Sequence, residues 1–204
     1  KAMGIEFKCG IEVGKDISLD DLRNEGYEAF YVAIGAQGSR KLNIPGEDNA
    51  MVESGIDFLR KVNKVEDPNL ISGDVVVVGG GNVAIDVARA ALRSGAEKVH
   101  LYSLEQEAEM PASFEEVQEA KEEGILLHCG WGPKEILEDS IVFKQCVSVK
   151  DKTGRFNPSY DESVLETIQC SHVLLSIGQS IIPIQGLDVE VNTNGTIKAD
   201  GTTL

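Results

Sequence analysis

Aromatic side chains are scarce in this sequence, at 5% of 204 residues, and tryptophan occurs once, as Trp131. Cysteine is scarce too: Cys9, Cys129, Cys146 and Cys170 stand far apart, and no CxxC pair occurs. That excludes a zinc knuckle and a redox dithiol, and leaves reduced thiols in a cytoplasmic protein as the expectation. Basic residues are outnumbered, 19 Lys and Arg against 34 Asp and Glu, for a formal net charge of −15. A surface of that sign repels phosphate, so nucleic acid is excluded as a partner and an anionic membrane surface is disfavoured. No apolar run approaches the ~20 residues of a membrane-spanning helix. Residues 1–10 hold no apolar stretch of signal-peptide length. An initiator Met is missing, and the last residues, Thr202-Thr203-Leu204, follow directly on a hairpin-like segment. The sequence therefore reads as a piece of a longer protein.

Glycine, by contrast, is abundant at 21 copies, which suits an α/β protein with tight turns between strands and helices. Gly4-Ile5-Glu6-Phe7 and Ile11-Glu12-Val13 alternate weakly, as edge strands do. Ser18 and Asp21 are spaced to cap a short helix. Ala29-Phe30-Tyr31-Val32-Ala33-Ile34, between Gly26 and Gly35, predicts a buried strand. Pro45-Gly46-Glu47-Asp48 is a turn, and helical spacing follows in Ile56, Leu59 and Val62.

The texture changes at about residue 74. Val75-Val76-Val77-Val78 is a β-branched run that fits a parallel strand buried on both faces. An Ala-rich helix from Asn82 to Arg93 follows, closed by Gly95. Lys98 to Tyr102 is a second strand, Ser113 and Glu116 form a capping box for a helix ending near Gly124, and Ile125-Leu126-Leu127 is a third strand. This β-α-β-α-β order predicts a parallel sheet with right-handed crossovers. Residues 141–170 read as a hairpin or meander, with turns at Asp151-Lys152-Thr153-Gly154 and Asn157-Pro158. Val173-Leu174-Leu175-Ser176-Ile177 is another buried strand, and Asn194-Gly195 marks a hairpin. The fold class is α/β: a Rossmann-like parallel sheet flanked by helices, with a β-meander.

The chemistry concentrates at Val78-Gly79-Gly80-Gly81-Asn82-Val83-Ala84, a GxGxxA pattern between a strand and a helix. Gly79 allows a sharp turn out of the strand, Gly81 lets a pyrophosphate approach the backbone, and Ala84 lets helix and strand pack closely. The free N–H groups of the helix start favour phosphate. These residues are the expected seat of a nicotinamide dinucleotide. The end of the second strand should face the adenine ribose, where an acid suits the 2′-hydroxyl of NAD and bases suit the 2′-phosphate of NADP. Here Tyr102-Ser103-Leu104-Glu105-Gln106-Glu107 carries no Lys or Arg. Glu105 or Glu107 could take the ribose, or both could belong to a solvated acidic face running through Glu109, Glu115, Glu116 and Glu119. The lack of a base predicts that NAD(H) is preferred over NADP(H).

Ala33-Ile34-Gly35-Ala36, Ile44-Pro45-Gly46-Glu47-Asp48, residues 75–86, Glu109-Met110-Pro111-Ala112 and Ser176-Ile177-Gly178-Gln179 occur in that order. This set resembles the small (beta) subunit of glutamate synthase, within a wider group of flavin and nicotinamide reductases, over nearly the whole chain. The resemblance implies an NAD(P)H domain inserted into an FAD domain. Residues 50–172 would be the inserted Rossmann-like nicotinamide domain, and residues 1–49 and 173–204 partial segments of the FAD domain. It implies FAD in the full-length protein, hydride passing from NAD(P)H to FAD, and a larger catalytic or iron–sulfur partner subunit. NADH is then expected to bind with residues 79–83 at the pyrophosphate, Ser103, Leu104 and Glu105 near the ribose, and Ile177, Gly178 and Gln179 near the nicotinamide side. The family's GxGPxG flavin fingerprint and cysteine-rich segment are not in this sequence, so the chain alone is expected to be inactive. NADPH-using members carry a basic pair after the second strand. Counting back from Met110-Pro111-Ala112, that pair falls on Leu104 and Glu105, and a further Arg on Glu107, which again favours NADH and puts glutamate synthesis itself in doubt.

No catalytic residue is assigned, because in hydride transfer the cofactors carry the chemistry and the protein orients them. No metal ligand is assigned either: His128-Cys129 and Cys170-Ser171-His172 match no zinc spacing. Asp86 is expected to be a buried helix aspartate that braces the loop, Arg89 and Arg93 to pair with surface acids, Trp131 to pack at a strand end, and Pro111 to fix a turn near the cofactor. Two other functions fit the sequence: a reductase subunit serving a ferredoxin or another dehydrogenase partner, and a non-catalytic nucleotide-binding regulatory domain.

Overall fold

The computed structural model describes residues 2–65, 67–187 and 189–199. In chain order the elements are α1 (Leu19–Asn24), β1 (Gly38–Ser39), β2 (Val52–Ser54), α2 (Gly55–Lys64), β3 (Asp74–Val78), α3 (Asn82–Arg93) and β4 (Lys98–Ser103). After a short 3-10 turn at Glu107–Glu109 come α4 (Phe114–Glu122), β5 (Leu126–Cys129), β6 (Trp131–Ile136), β7 (Ser140–Lys150), β8 (Phe156–Gln169), β9 (His172–Leu175) and β10 (Gln179–Ser180). They form two compact units: Ser39–Gln179, and Lys1–Gly38 with Ser180–Leu204. The larger unit begins earlier and ends later than residues 50–172. The reason is β9, which lies between β2 and β3 in one sheet, so a boundary at 172/173 would cut a central strand. No helix among the described residues is long and apolar enough to cross a membrane.

The larger unit is built on a five-stranded parallel sheet of order β2-β9-β3-β4-β5. The valine run of β3 is central and buried on both faces, which is why it lacks a polar alternation. Val75 and Val77, with Val99, Leu101 and Leu174, pack on one face with Phe58 of α2, Ile85, Ala88 and Ala91 of α3, and Val117 and Ala120 of α4. Val76 and Val78, with Tyr102, Val173 and Leu175, pack on the other face with Ile136, Ile141 and Phe143. That second cluster is shared with the antiparallel sheet β6-β7-β8. The result is three layers: helices, parallel sheet, meander.

Helix α3 has the expected bounds, and Gly95, at φ +109, ends it against the backbone of Ile71 and Pro68. Its polar stripe Asp86, Arg89, Arg93 faces away from the sheet. Asp86 is thus exposed rather than buried, and braces nothing. Arg89 reaches Glu119 at 2.8 Å and Glu123 at 2.7 Å, and Arg93 also binds Glu123, joining α3 to α4. The α4 capping box is only half formed. Ser113 accepts from the Glu116 N–H at 3.4 Å, but its own N–H donates to Asn82 Oδ1 at 2.9 Å, leaving Glu116 Oε2 buried without a partner. Asn157-Pro158 is no turn. It lies inside β8, an edge strand of the meander, where a missing N–H is tolerated. The third strand is shifted, with Ile125 before it and Cys129 at its end.

In the smaller unit Ser18 and Asp21 form a reciprocal capping box for α1. Residues 5–7 and 11–12 form no strands, and Val13 makes only an isolated bridge to Ile17. Residues 29–34 form no strand either: Tyr31 is 96% exposed, and without a neighbouring strand an apolar run has no ladder to join. Asn194-Gly195 turns as expected, with Val191 bridged to Ile197. Residues 200–204, and Asp188 beside the hairpin, lie outside the described residues.

Candidate functional site

The chain runs from β3 through α3 to β4 on one side, while β9 arrives on the other side from much later in the sequence. A crevice at the carboxyl ends of strands that part in this way is where open α/β sheets bind ligands. A cavity of about 710 Å³ lies there, lined by Gly79, Gly80, Gly81, Asn82 and Val83 from the β3–α3 turn. Ser176, Ile177, Gly178 and Gln179 line it after β9, and Leu104 and Glu105 after β4.

The three glycines differ in what holds them. Gly79, at φ +148, donates its N–H to the Tyr102 carbonyl at 2.9 Å, and a Cβ there would overlap the Ser176 carbonyl oxygen. A Cβ on Gly80 would lie 2.9 Å from Glu105 Oε2 and 3.1 Å from Ser103 Cβ. A Cβ on Gly81 would meet no chain atom within 4 Å. Gly79 is thus glycine because of the protein, a side chain on Gly80 would displace the flexible end of Glu105 and press on Ser103, and Gly81 faces open space. Gly81 is also the N-cap of α3 and offers no capping side chain, and no acid occupies the helix's first turn. That combination leaves the end of the helix dipole free for an anion.

All the sequence-predicted positions but one line this cavity. Ser103 is 1% exposed and does not. Its hydroxyl donates to the Glu105 carbonyl at 2.8 Å, and Glu105 also accepts the Gly130 N–H at 3.0 Å. Ser103 therefore shapes the loop that presents Leu104 and Glu105. The Asn82 side chain is engaged with Ser113, leaving its backbone to the turn. Pro111 lines the cavity, and its neighbour Ala112 donates to the Gly80 carbonyl at 3.0 Å.

The meander supplies a wall that the sequence did not reveal. Trp131 and Pro133 of β6, Lys144 of β7, and Phe156, Pro158 and Tyr160 of β8 all line the same cavity. Lys144 Nζ lies 4.2 Å from the centre of the Tyr160 ring and 2.7 Å from Glu162. Trp131 also packs, half-buried, on the core shared by the two sheets. The available signal is the spacing of Phe156, Pro158 and Tyr160, which reading Asn157-Pro158 as a turn conceals. Behind this wall Tyr102 stacks between Phe143, at 3.8 Å, and His128, at 4.3 Å. Its hydroxyl donates to Glu166 at 2.8 Å, and burial, then that bond, push its phenol up. His100 and His128 share a hydrogen bond of 3.0 Å, and burial first of all pulls both imidazoles down.

A beta subunit of an NADP(+)-dependent formate dehydrogenase from Moorella thermoacetica is 37% identical over the whole of this chain, which spans 30% of that protein. A putative glutamate synthase [NADPH] small chain from Cereibacter sphaeroides is 32% identical over 97% of this chain and 52% of its own length, which bears out the resemblance read from the motifs. The solved structure of FprA from Mycobacterium tuberculosis in complex with NADPH has the same fold, with a TM-score of 0.77 over 94% of this chain and 58% of that one, at 22% identity. The family model for pyridine nucleotide-disulphide oxidoreductases matches residues 3–203, and the chain belongs to that family.

Proposed function

We propose that the larger unit is the nicotinamide-dinucleotide-binding part of a flavin-dependent oxidoreductase, and that it prefers NADH to NADPH. The observation that carries this is the open Gly81 at the uncapped start of α3, beside a cavity at the carboxyl ends of β3 and β9. Residues 79–83 hold the pyrophosphate through backbone N–H groups. Glu105, brought to the cavity by the Ser103 hydrogen bond, accepts from the ribose hydroxyls and repels a 2′-phosphate. Ile177, Gly178 and Gln179 border the nicotinamide side, on the β9 flank of the glycine turn.

A bound nicotinamide supplies the hydride. The residues described here position it and exclude water, and none acts as acid or base. Residues 1–38 and 180–204, outside the larger unit, belong with an FAD domain on the family reading. Among the described residues there, 29–34 form no strand and no glycine turn joins a strand to a helix, so by themselves they fit no flavin cradle. The acceptor beyond it is a partner subunit, as the beta-subunit names of relatives suggest. The four unpaired cysteines suit a reducing, cytoplasmic setting.

Calorimetric titration of the chain with NADH and with NADPH tests the reading. Tighter NADH binding is expected. The relatives named for NADP(+) or NADPH point the other way, and tighter NADPH binding would move the phosphate contact to Lys144, a cation on the cavity wall.

A further inference from the structure

The wall contributed by β6 and β8 presents Trp131, Phe156 and Tyr160, with Pro133 and Pro158, to the cavity. Phe156, Pro158 and Tyr160 of β8 all line the cavity, although the β7–β8 register shifts opposite them, between Ser148 and Lys150. Phe156 is 67% exposed although it lines the cavity, which leaves an apolar ring uncovered within a site. Tyr160 is tied to a definite end of that site. A Cβ on Gly132 would overlap the Tyr160 ring and lie 3.0 Å from Leu104 Cδ2, so Tyr160 and Leu104 close over Gly132 from the same side. Leu104 follows β4, and β4 and β9 flank β3 on opposite sides. A dinucleotide with its pyrophosphate on residues 79–83 therefore has one half over β9 and the other over β4, beside Leu104 and Tyr160. Lys144, the cross-strand partner of Gly132, is held over the Tyr160 ring and paired with Glu162.

We propose that the β8 stripe, with Tyr160 and Phe156 as its two rings, is the seat of the adenine base. The inference rests on the dinucleotide reading above and adds to it the part of the ligand that the meander recognises. A purine is flat, apolar on its faces and tolerant in its stacking partners, and it matches an aromatic stripe that offers no fixed hydrogen-bonding pattern. This gives the meander a binding role in addition to its packing on the parallel sheet. It also explains why β7 and β8, of 11 and 14 residues, are much longer than the four to six residues of β4, β5 and β9.

The test uses two ligands, NADH and ADP-ribose, which carries adenine and pyrophosphate but no nicotinamide. Trp131 is the sole tryptophan and lines the cavity, so its emission reports occupancy beside calorimetry. Phe156→Ser, at an exposed position, and Tyr160→Ala are each expected to weaken both ligands by the same factor, roughly ten-fold. Tyr160→Phe is expected to bind as the unaltered chain does. A loss seen with NADH but not with ADP-ribose would give the stripe to the nicotinamide, and unchanged binding of both ligands by Phe156→Ser and Tyr160→Ala would remove it from the site; either result overturns the proposal while leaving the dinucleotide reading intact. An unaltered chain that binds neither ligand overturns both.

Discussion

Gly79 and Ser176 approach so closely that a side chain on the first would overlap the carbonyl oxygen of the second. Ser176 in turn donates its N–H to the Val78 carbonyl at 2.8 Å, so the exits of β3 and β9 are locked side by side. The glycine turn thus has two demands on it. One is set by the protein and the other by the ligand.

These demands separate by mutation. Gly79→Ala must move Ser176 and adopt a positive φ, and is expected to cost about 2–4 kcal/mol in a denaturant titration. Gly81→Ala touches no chain atom, and the poorer N-cap is offset by the lower entropy of the unfolded chain, so stability should change by less than about 1 kcal/mol, while NADH weakens because the new methyl group occupies the path of the pyrophosphate. Equal stability losses for the two would contradict the division.

Glu105 should govern the choice of dinucleotide. Glu105→Gln removes one negative charge from the cavity wall, and a unit charge a few ångströms from a phosphate is worth about 1 kcal/mol when water-screened. Binding of NADPH is expected to tighten roughly five-fold with little change for NADH, and the gain should shrink in high salt. An unchanged ratio of the two affinities would take Glu105 out of ribose recognition.

The Tyr102–Glu166 bond joins the parallel sheet to β8. Tyr102→Phe keeps the stack between Phe143 and His128 and deletes only the hydroxyl. The expected loss is about 1.5 kcal/mol, the lower range for a bond to a charged group, since Glu166 is 34% exposed. A chemical-denaturation midpoint measured near neutral pH reads this directly.

All three histidines, His100, His128 and His172, are held below the ordinary 6.5, chiefly by burial, with His128 also lowering His100. Glu166, Asp74 and Glu53 oppose that shift without reversing it. A depressed folded value means that the unfolded chain binds protons first. This contribution to stability is therefore whole above about pH 6.5 and is lost as pH falls from there toward the folded values. Urea midpoints at pH 7.5 and 5.5 should differ in that direction, and His128→Gln should make the difference smaller. A midpoint that rises on acidification across this range would contradict the assignment.

Where sequence carried information, it did so through constraints local to a few residues. The valine run, the three glycines and Ala84 are readable because strand burial and the βα turn each act within one short segment. Gly46 belongs with them in hindsight: a Cβ there would overlap the Ile136 carbonyl, while Pro45 accepts the Ile136 N–H at 2.9 Å. The turn was legible and its docking on β6 was not, since that depends on a residue 90 positions away. Asp86 was misplaced because its neighbours are apolar, yet it shares the outward stripe of Arg89 and Arg93. Residues 29–34 read as a buried strand from composition alone, which cannot show whether a partner strand lies alongside. The cavity wall from Lys144, Phe156 and Tyr160 was hidden for the same reason: bringing a meander over the end of a parallel sheet is a long-range event with no local signature.

The central claim is that residues 79–83 hold the phosphates of a dinucleotide, and amide chemical shifts report on that contact residue by residue. Titrating the isotope-labelled chain with ADP-ribose should shift the amides of Gly80, Gly81, Asn82 and Val83 most strongly, with smaller changes at Leu104 and Glu105. Saturable binding that leaves those four amides unmoved would contradict the account.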